Sequence, residues 1–261
     1  MQVKYNVPQQ QGFEWLKQGW SSYRLFPAQW TLIIFVAMGA SYLFGAIIPL
    51  VGFILGDLVQ TLLGIGAYRS FLALKKEQKF RWDLLIVDFN NFDLITNLIL
   101  MKTIAFLSLI GVTATLLGID LYLGITTKDF LSLVQIINTK TFYLIPDTFM
   151  KLLLMNAIVL GLWVLLLFAA TTFAPLLIVV HGASPIKALW MSLKINFGNV
   201  GAFAVLGLLS TLVTILAALP LLLGMFVALP VLSLSLMAAF KELTGDQELP
   251  PETALTEPTS F

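Results

Sequence analysis

Apolar positions along this chain come in long unbroken runs, separated by short polar or basic stretches. That is the pattern of bilayer-crossing helices rather than of a water-soluble fold. No charged residue lies between Arg24 and Asp57. A single helix of that length would outrun a hydrocarbon core about 30 Å thick. The stretch "IIPLVG", Ile47 to Gly52, offers a break, because proline lacks the N–H a helix interior needs and glycine permits a turn. Two spans, at about 29–48 and 51–73, are therefore expected. Further runs place spans at about 95–118, 151–177, 199–219 and 221–240, the last two parted around Pro220. The predicted fold is an all-α integral membrane protein with six transmembrane helices arranged as three hairpins. Residues 1–243 form its single domain, and the acidic, Pro- and Thr-rich residues 244–261 are expected to be a disordered tail.

An amphipathic segment precedes each hairpin. In "GFEWLKQGWSSYRLF", Phe13, Leu16, Trp20 and Tyr23 share one face, with Glu14, Lys17, Ser21 and Arg24 opposite. In "RWDLLIVDFNNFD", Trp82, Leu85, Ile86, Phe89 and Phe92 recur at helical spacing. In "HGASPIKALWMSLKINFGN", Ser184 is placed to cap and Pro185 suits the first helical position. There Ile186, Leu189, Trp190, Leu193 and Phe197 form the stripe, with Lys187 and Lys194 on the wet side. Trp15, Trp20, Trp30, Trp82 and Trp190 all fall in or beside these segments, where an aromatic belt at headgroup depth belongs. The competing reading is that these helices simply pack on neighbouring protein. A further short interfacial helix is expected on the outer side at Thr126 to Asn138.

Composition agrees with this picture: the chain is 59% hydrophobic and 11% charged, against about 25% charged in soluble domains. A net charge of +1 argues against nucleic-acid binding through bulk electrostatics, and the absence of cysteine excludes disulfides and thiolate metal sites. Residues 1–28 lack the apolar core and small-residue cleavage site of a signal peptide, so the first run is expected to stay as an anchor. With the N-terminus inside, Lys4, Arg24, Lys75, Lys187, Lys241 and most other basic residues fall on the cytoplasmic side. The other side holds only Lys128, Lys140 and Lys151. Both termini are thus expected in the cytoplasm.

Helix association in lipid relies on small residues that let backbones approach. Ala37, Ser41 and Gly45 have that spacing, as do Gly52 and Gly56, Ala157 and Gly161, and Ser210, Thr214 and Ala218. The first and last of these are the better candidates for packing a close monomeric core. The first and last hairpins also match weakly at an offset of 171, pairing Phe26 with Phe197 and Pro49 with Pro220.

Ionisable groups inside spans are costly and raise a functional question. Asp57 shares a polar stripe with Gln60 and Thr61 in the second span, a candidate proton or cation site or else an interfacial hydrogen-bonded carboxylate. Lys102 lies in the third span within snorkelling reach of the cytoplasmic interface. A depth difference of about 10 Å, from a rise of 1.5 Å per residue, argues against its pairing with Asp57. Arg69 reads as a topology anchor beside the basic run of Lys75, Lys76, Lys79 and Arg81. Together with Lys187 and Lys194, these are candidate contacts for lipid headgroups, anionic ones included. His181 is the only histidine and has no partner ligands, so turn or interface duty is expected of it and neither metal nor cofactor. No catalytic motif is present.

Together, "FAPLLIVVHGASPIKALWMSLKINFGNVGAF", "GFEWLKQGWSSYRLFPAQWTL" and "IIPLVG" resemble an uncharacterised family of bacterial six-span inner-membrane proteins. That family is distantly similar to the YciC-like group and to the membrane domain of some glycerophosphodiester phosphodiesterases. The resemblance implies an inner-membrane location and this fold, and no catalytic residues, since it does not extend to the phosphodiesterase catalytic domain. The expected function is non-enzymatic: a lipid-interacting protein or an assembly or accessory factor, with a protein partner at the cytoplasmic face or acidic tail. The alternative is a small transporter or channel lined by Asp57 and Gln60.

Overall fold

The computed structural model describes residues 3–47, 49–77, 79–122, 135, 138–139, 147–220 and 222–245. The expected outer interfacial helix apart from residues 135 and 138, with its Lys128, the tail from residue 246, Lys140, and Ile48 and Leu221 beside the turns lie outside them. Among the described residues every regular element is helical: α1 (Gln11–Leu25), α2 (Pro27–Ile47), α3 (Pro49–Glu77), α4 (Phe92–Tyr122) and α5 (Asp147–Thr172). They continue with α6 (Ala174–His181), α7 (Pro185–Gly198), α8 (Val200–Ala218) and α9 (Met225–Thr244). Five stretches are long and apolar enough to cross a membrane: α2, α4, Phe149–His181, α8 and α9. The expected six becomes five on this measure, because α3, which carries Asp57 and Arg69, is not among them.

Among the described residues the pairing of α2 with α3 is the most extensive. It uses the small residues as the spacing predicts. A side chain at Gly56 would collide with Ser41, and one at Gly52 with the backbone of Phe44 and Gly45. Ala157 and Gly161 behave differently, since nothing lies within 4 Å of a Cβ built at Gly161. In α8, Ser210, Thr214 and Ala218 are only half-buried, and the close approach to the next helix runs instead from Ala217 to Gly224.

The expected fourth span is not one helix. Pro175 lacks an N–H and its ring crowds the carbonyl four residues earlier, so the chain breaks at Phe173 between α5 and α6. Helix α7 repairs the break. The Ser192 hydroxyl accepts the Phe173 N–H at 3.2 Å and donates to the Ala169 carbonyl at 2.7 Å, which Asn196 Nδ2 also reaches at 3.0 Å.

The closely packed core gathers at one end of the molecule, the end carrying Lys75, Lys187 and Lys241, rather than running the length of the spans. Trp15, Phe71, Phe173, Phe240, Leu98 and Leu243 are fully buried there. Away from that end burial is sparse. No residue from Phe149 to Ala169 of α5 is buried, against half of the apolar stretch of α9, which packs on α1, α2, α3 and α8.

Candidate functional site

Two of the three amphipathic segments form α-helices, and each has two faces of different chemistry. In α1 the buried face is Gly12, Trp15, Gly19, Ser22 and Tyr23. Gly12 and Gly19 let it lie close against Ala202 of α8 and Val231 and Ser235 of α9. The Trp15 indole donates to Glu242 at 2.9 Å, and Gln11 Nε2 donates to the same oxygen at 2.6 Å. The predicted stripe is therefore corrected. Tyr23 turns inward, whereas Phe13 and Trp20 stay exposed beside Lys17 and Arg24. In α7 the buried positions are Pro185, Ala188, Ser192 and Ile195, while Ile186, Trp190 and Phe197 are exposed next to Lys187 and Lys194. Ser184 occupies the N-cap position with extended backbone, but its side chain makes no capping bond. Asn199 then joins α7 to α8 and clamps the N-terminal segment, accepting the Val7 N–H and donating to the Lys4 carbonyl.

The second segment is not an α-helix. It forms two 3-10 turns, Asp83–Leu85 and Val87–Asn90. These run back along α3, with the Ser70 hydroxyl donating to the Arg81 carbonyl at 2.8 Å. Leu85 lies so close to Gly66 that an added Cβ there would sit 2.5 Å from the Leu85 Cα. Phe80 anchors the turn by packing against Phe26, Trp30 and Trp82. Arg81 is held by Asp83 at 2.5 Å and by Glu77 at 3.8 Å. Its hydrogen bond keeps the Asp83 carboxyl below its ordinary pKa.

This fold-back overturns the depth argument against an Asp57–Lys102 pair. Helix α4 starts part-way along α3, not level with its end. From Gly66 to Asp57 is about 13 Å, and from Phe92 to Lys102 about 15 Å, at 1.5 Å per residue. Lys102 Nζ accordingly donates to Asp57 Oδ2 at 2.5 Å. The rest of the polar stripe is also engaged: the Ser41 hydroxyl donates to Gln60 Oε1 at 3.3 Å, and the Thr61 hydroxyl to the Asp57 carbonyl at 2.8 Å. Thr61 also borders a cavity of about 220 Å³ with Gly64, Ile65, Phe173, Ser233 and Met237, where α3, the α5–α6 break and α9 converge.

The other basic candidates separate by environment. Arg69 is 6% exposed, in the core, which removes it from the headgroup contacts. Lys75 lies over the Phe71 ring at 5.5 Å, and lost hydration, reinforced by the charge of Lys241, pulls its pKa below the ordinary lysine value. Lys76, Lys79, Lys187 and Lys194 are exposed. His181 ends α6, followed by Gly182 in the left-handed conformation, in keeping with turn duty.

One pair has no counterpart in the sequence reading. Asp120, 4% exposed near the end of α4, accepts from Asn156 Nδ2 of α5 at 2.9 and 2.8 Å beside an apolar pocket of about 330 Å³. An acidic residue just past an apolar run was the available signal. Among the described residues no group of three or more metal-ligating side chains occurs. Comparison with known protein families, curated proteins and solved structures gave no match.

Proposed function

We propose that this chain is a six-span bacterial inner-membrane protein with both termini in the cytoplasm, acting without catalysis as a lipid-interacting protein or an assembly or accessory factor. In this reading α3 is the sixth span, pairing with α2 to make the first of three hairpins, and the basic end faces the cytoplasm. The observation that carries it is the two-faced design of α1 and α7. Each buries small residues against the bundle and turns outward a Trp, large apolar side chains and basic residues. Water is a poor environment for that outer face and a membrane interface a good one. The transporter alternative is weakened by the pairing of Asp57 with Lys102, which already neutralises the carboxylate it needs.

The test is purification in mild detergent followed by mass spectrometry of bound lipids and proteins. Specific lipids or a stoichiometric protein partner are expected. Protein that retains neither, but drives uptake of a small solute in vesicles, contradicts the reading in favour of the transporter.

A further inference from the structure

The basic residues divide by whether their charge is already matched. Lys17, Arg81 and Lys102 have carboxylates at 3.8, 2.5 and 2.5 Å, from Glu14, Asp83 and Asp57. Arg24 and Lys194 have no carboxylate partner among the described residues. Each instead lies over the indole of the Trp one helical turn before it, Arg24 over Trp20 at 5.9 Å and Lys194 over Trp190 at 5.4 Å. Trp20 is 44% exposed and Trp190 is 59% exposed. The two pairs stand in corresponding places, in the helices that lead into α2 and α8, and Lys17 and Lys187 correspond in the same register.

A cation resting on an indole face keeps its charge and most of its N–H donors. The indole in turn sets its depth, because Trp settles at headgroup level. Exposed Phe13 beside the first pair, and Ile186 and Phe197 beside the second, supply apolar surface for acyl chains but none for a free anion. The complement of an unmatched cation at that depth is a lipid phosphate. A zwitterionic headgroup brings its own cation, so a lipid with net negative charge gains more.

We propose that Trp20–Arg24 and Trp190–Lys194 are two matched sites for the phosphate of an anionic phospholipid, lying in one leaflet. Lys187 strengthens the second, whereas Glu14 cancels the equivalent Lys17 in the first. This deepens the lipid-interacting reading above and rests on it.

The experiment is native mass spectrometry of the full chain titrated with phosphatidylglycerol, with phosphatidylcholine, diacylglycerol and inorganic phosphate as controls. Two phosphatidylglycerol molecules are expected to bind preferentially. Arg24→Gln and Lys194→Gln should each weaken one of the two about fivefold. Arg24→Lys, Lys194→Arg and the double variant Glu14→Gln/Lys17→Gln, which removes a matched pair without changing the local net charge, should leave binding intact, which separates charge loss from misfolding. Equal phosphatidylglycerol binding by wild type and the Arg24→Gln/Lys194→Gln double variant overturns the two sites while leaving a lipid-interacting protein. Displacement by inorganic phosphate alone overturns the lipid as ligand. Wild-type protein that retains no lipid of any kind overturns this inference together with the lipid-interacting reading it rests on, leaving only the assembly or accessory role.

Discussion

Lys102 of α4 donates to Asp57 of α3 at 2.5 Å, an ion pair that ties the two helices together. On the proposed topology α3 and α4 both span the membrane, and a charged group inside a span is expensive alone, about 3 kcal/mol at a helix centre on insertion scales. Removing one partner strands the other. Asp57→Ala and Lys102→Ala are each expected to lower the melting temperature of the detergent-solubilised protein by several degrees. The double variant should lose less than the sum, with a coupling of about 0.5–3 kcal/mol. Strict additivity in the cycle would show that the two charges act independently.

The α2–α3 seam makes a second prediction. Gly56→Leu forces a side chain into Ser41 and is expected to cost about 1–3 kcal/mol by overpacking. Gly161→Ala meets no neighbour and should be neutral or stabilising by up to about 1 kcal/mol, since alanine favours the helix. Thermal unfolding of the two variants side by side checks both, and equal losses would contradict the seam.

The pH dependence of the basic end has a definite sign. Asp83 has a folded-state pKa below its ordinary 3.8, so its link to Arg81 contributes stability above that value and loses it as the pH falls through the folded-state value. Amide exchange in residues 83–90, corrected for intrinsic rates, should stay flat from pH 7 to 5 and rise below about 4. In the Asp83→Asn variant that step should vanish. Lys75 works in the opposite sense. Its folded-state pKa lies below 10.5, so its charge opposes folding at neutral pH, and the penalty fades as the pH rises through the folded-state value. Lys75→Gln should therefore raise the melting temperature slightly at pH 7, by an amount that shrinks toward pH 10.

At the opposite end, Asp120 and Asn156 fasten α4 to α5. Asn156→Leu leaves a buried carboxylate without its amide donor, which is expected to cost about 1–3 kcal/mol. Asp120→Leu combined with it should recover most of that loss, as measured by thermal unfolding. A double variant as unstable as Asn156→Leu alone would mean that the pair carries no coupling.

Most of the helices were legible because lipid demands long apolar runs, and because Ala37, Ser41, Gly45, Gly52 and Gly56 repeat at the spacing that close helix contact needs. The buried face of α1 was not, since Gly12, Gly19 and Ser22 are small and carry almost no hydropathy; the large side chains dominate such a pattern even when they face outward. Nor was the Asp57–Lys102 pair legible. Its geometry depends on the 3-10 turns between Asp83 and Asn90 running back along α3, and residues at helical spacing there, Trp82 to Phe89, suggest a regular helix. Asp120 was hidden by its place just past the expected end of the third span.

The claim that α1 and α7 meet the membrane with their Trp-bearing faces is open to direct measurement, because the chain has no native cysteine to interfere with site-directed spin labelling. Cysteines would replace Phe13, Trp20, Ile186, Trp190 and Phe197, one at a time, in vesicles. The account predicts that nitroxides at all five relax readily with oxygen and poorly with a water-soluble nickel chelate. Nickel access at Trp20 and Trp190 equal to that of a label at Lys79, or protection from both reagents, would contradict it.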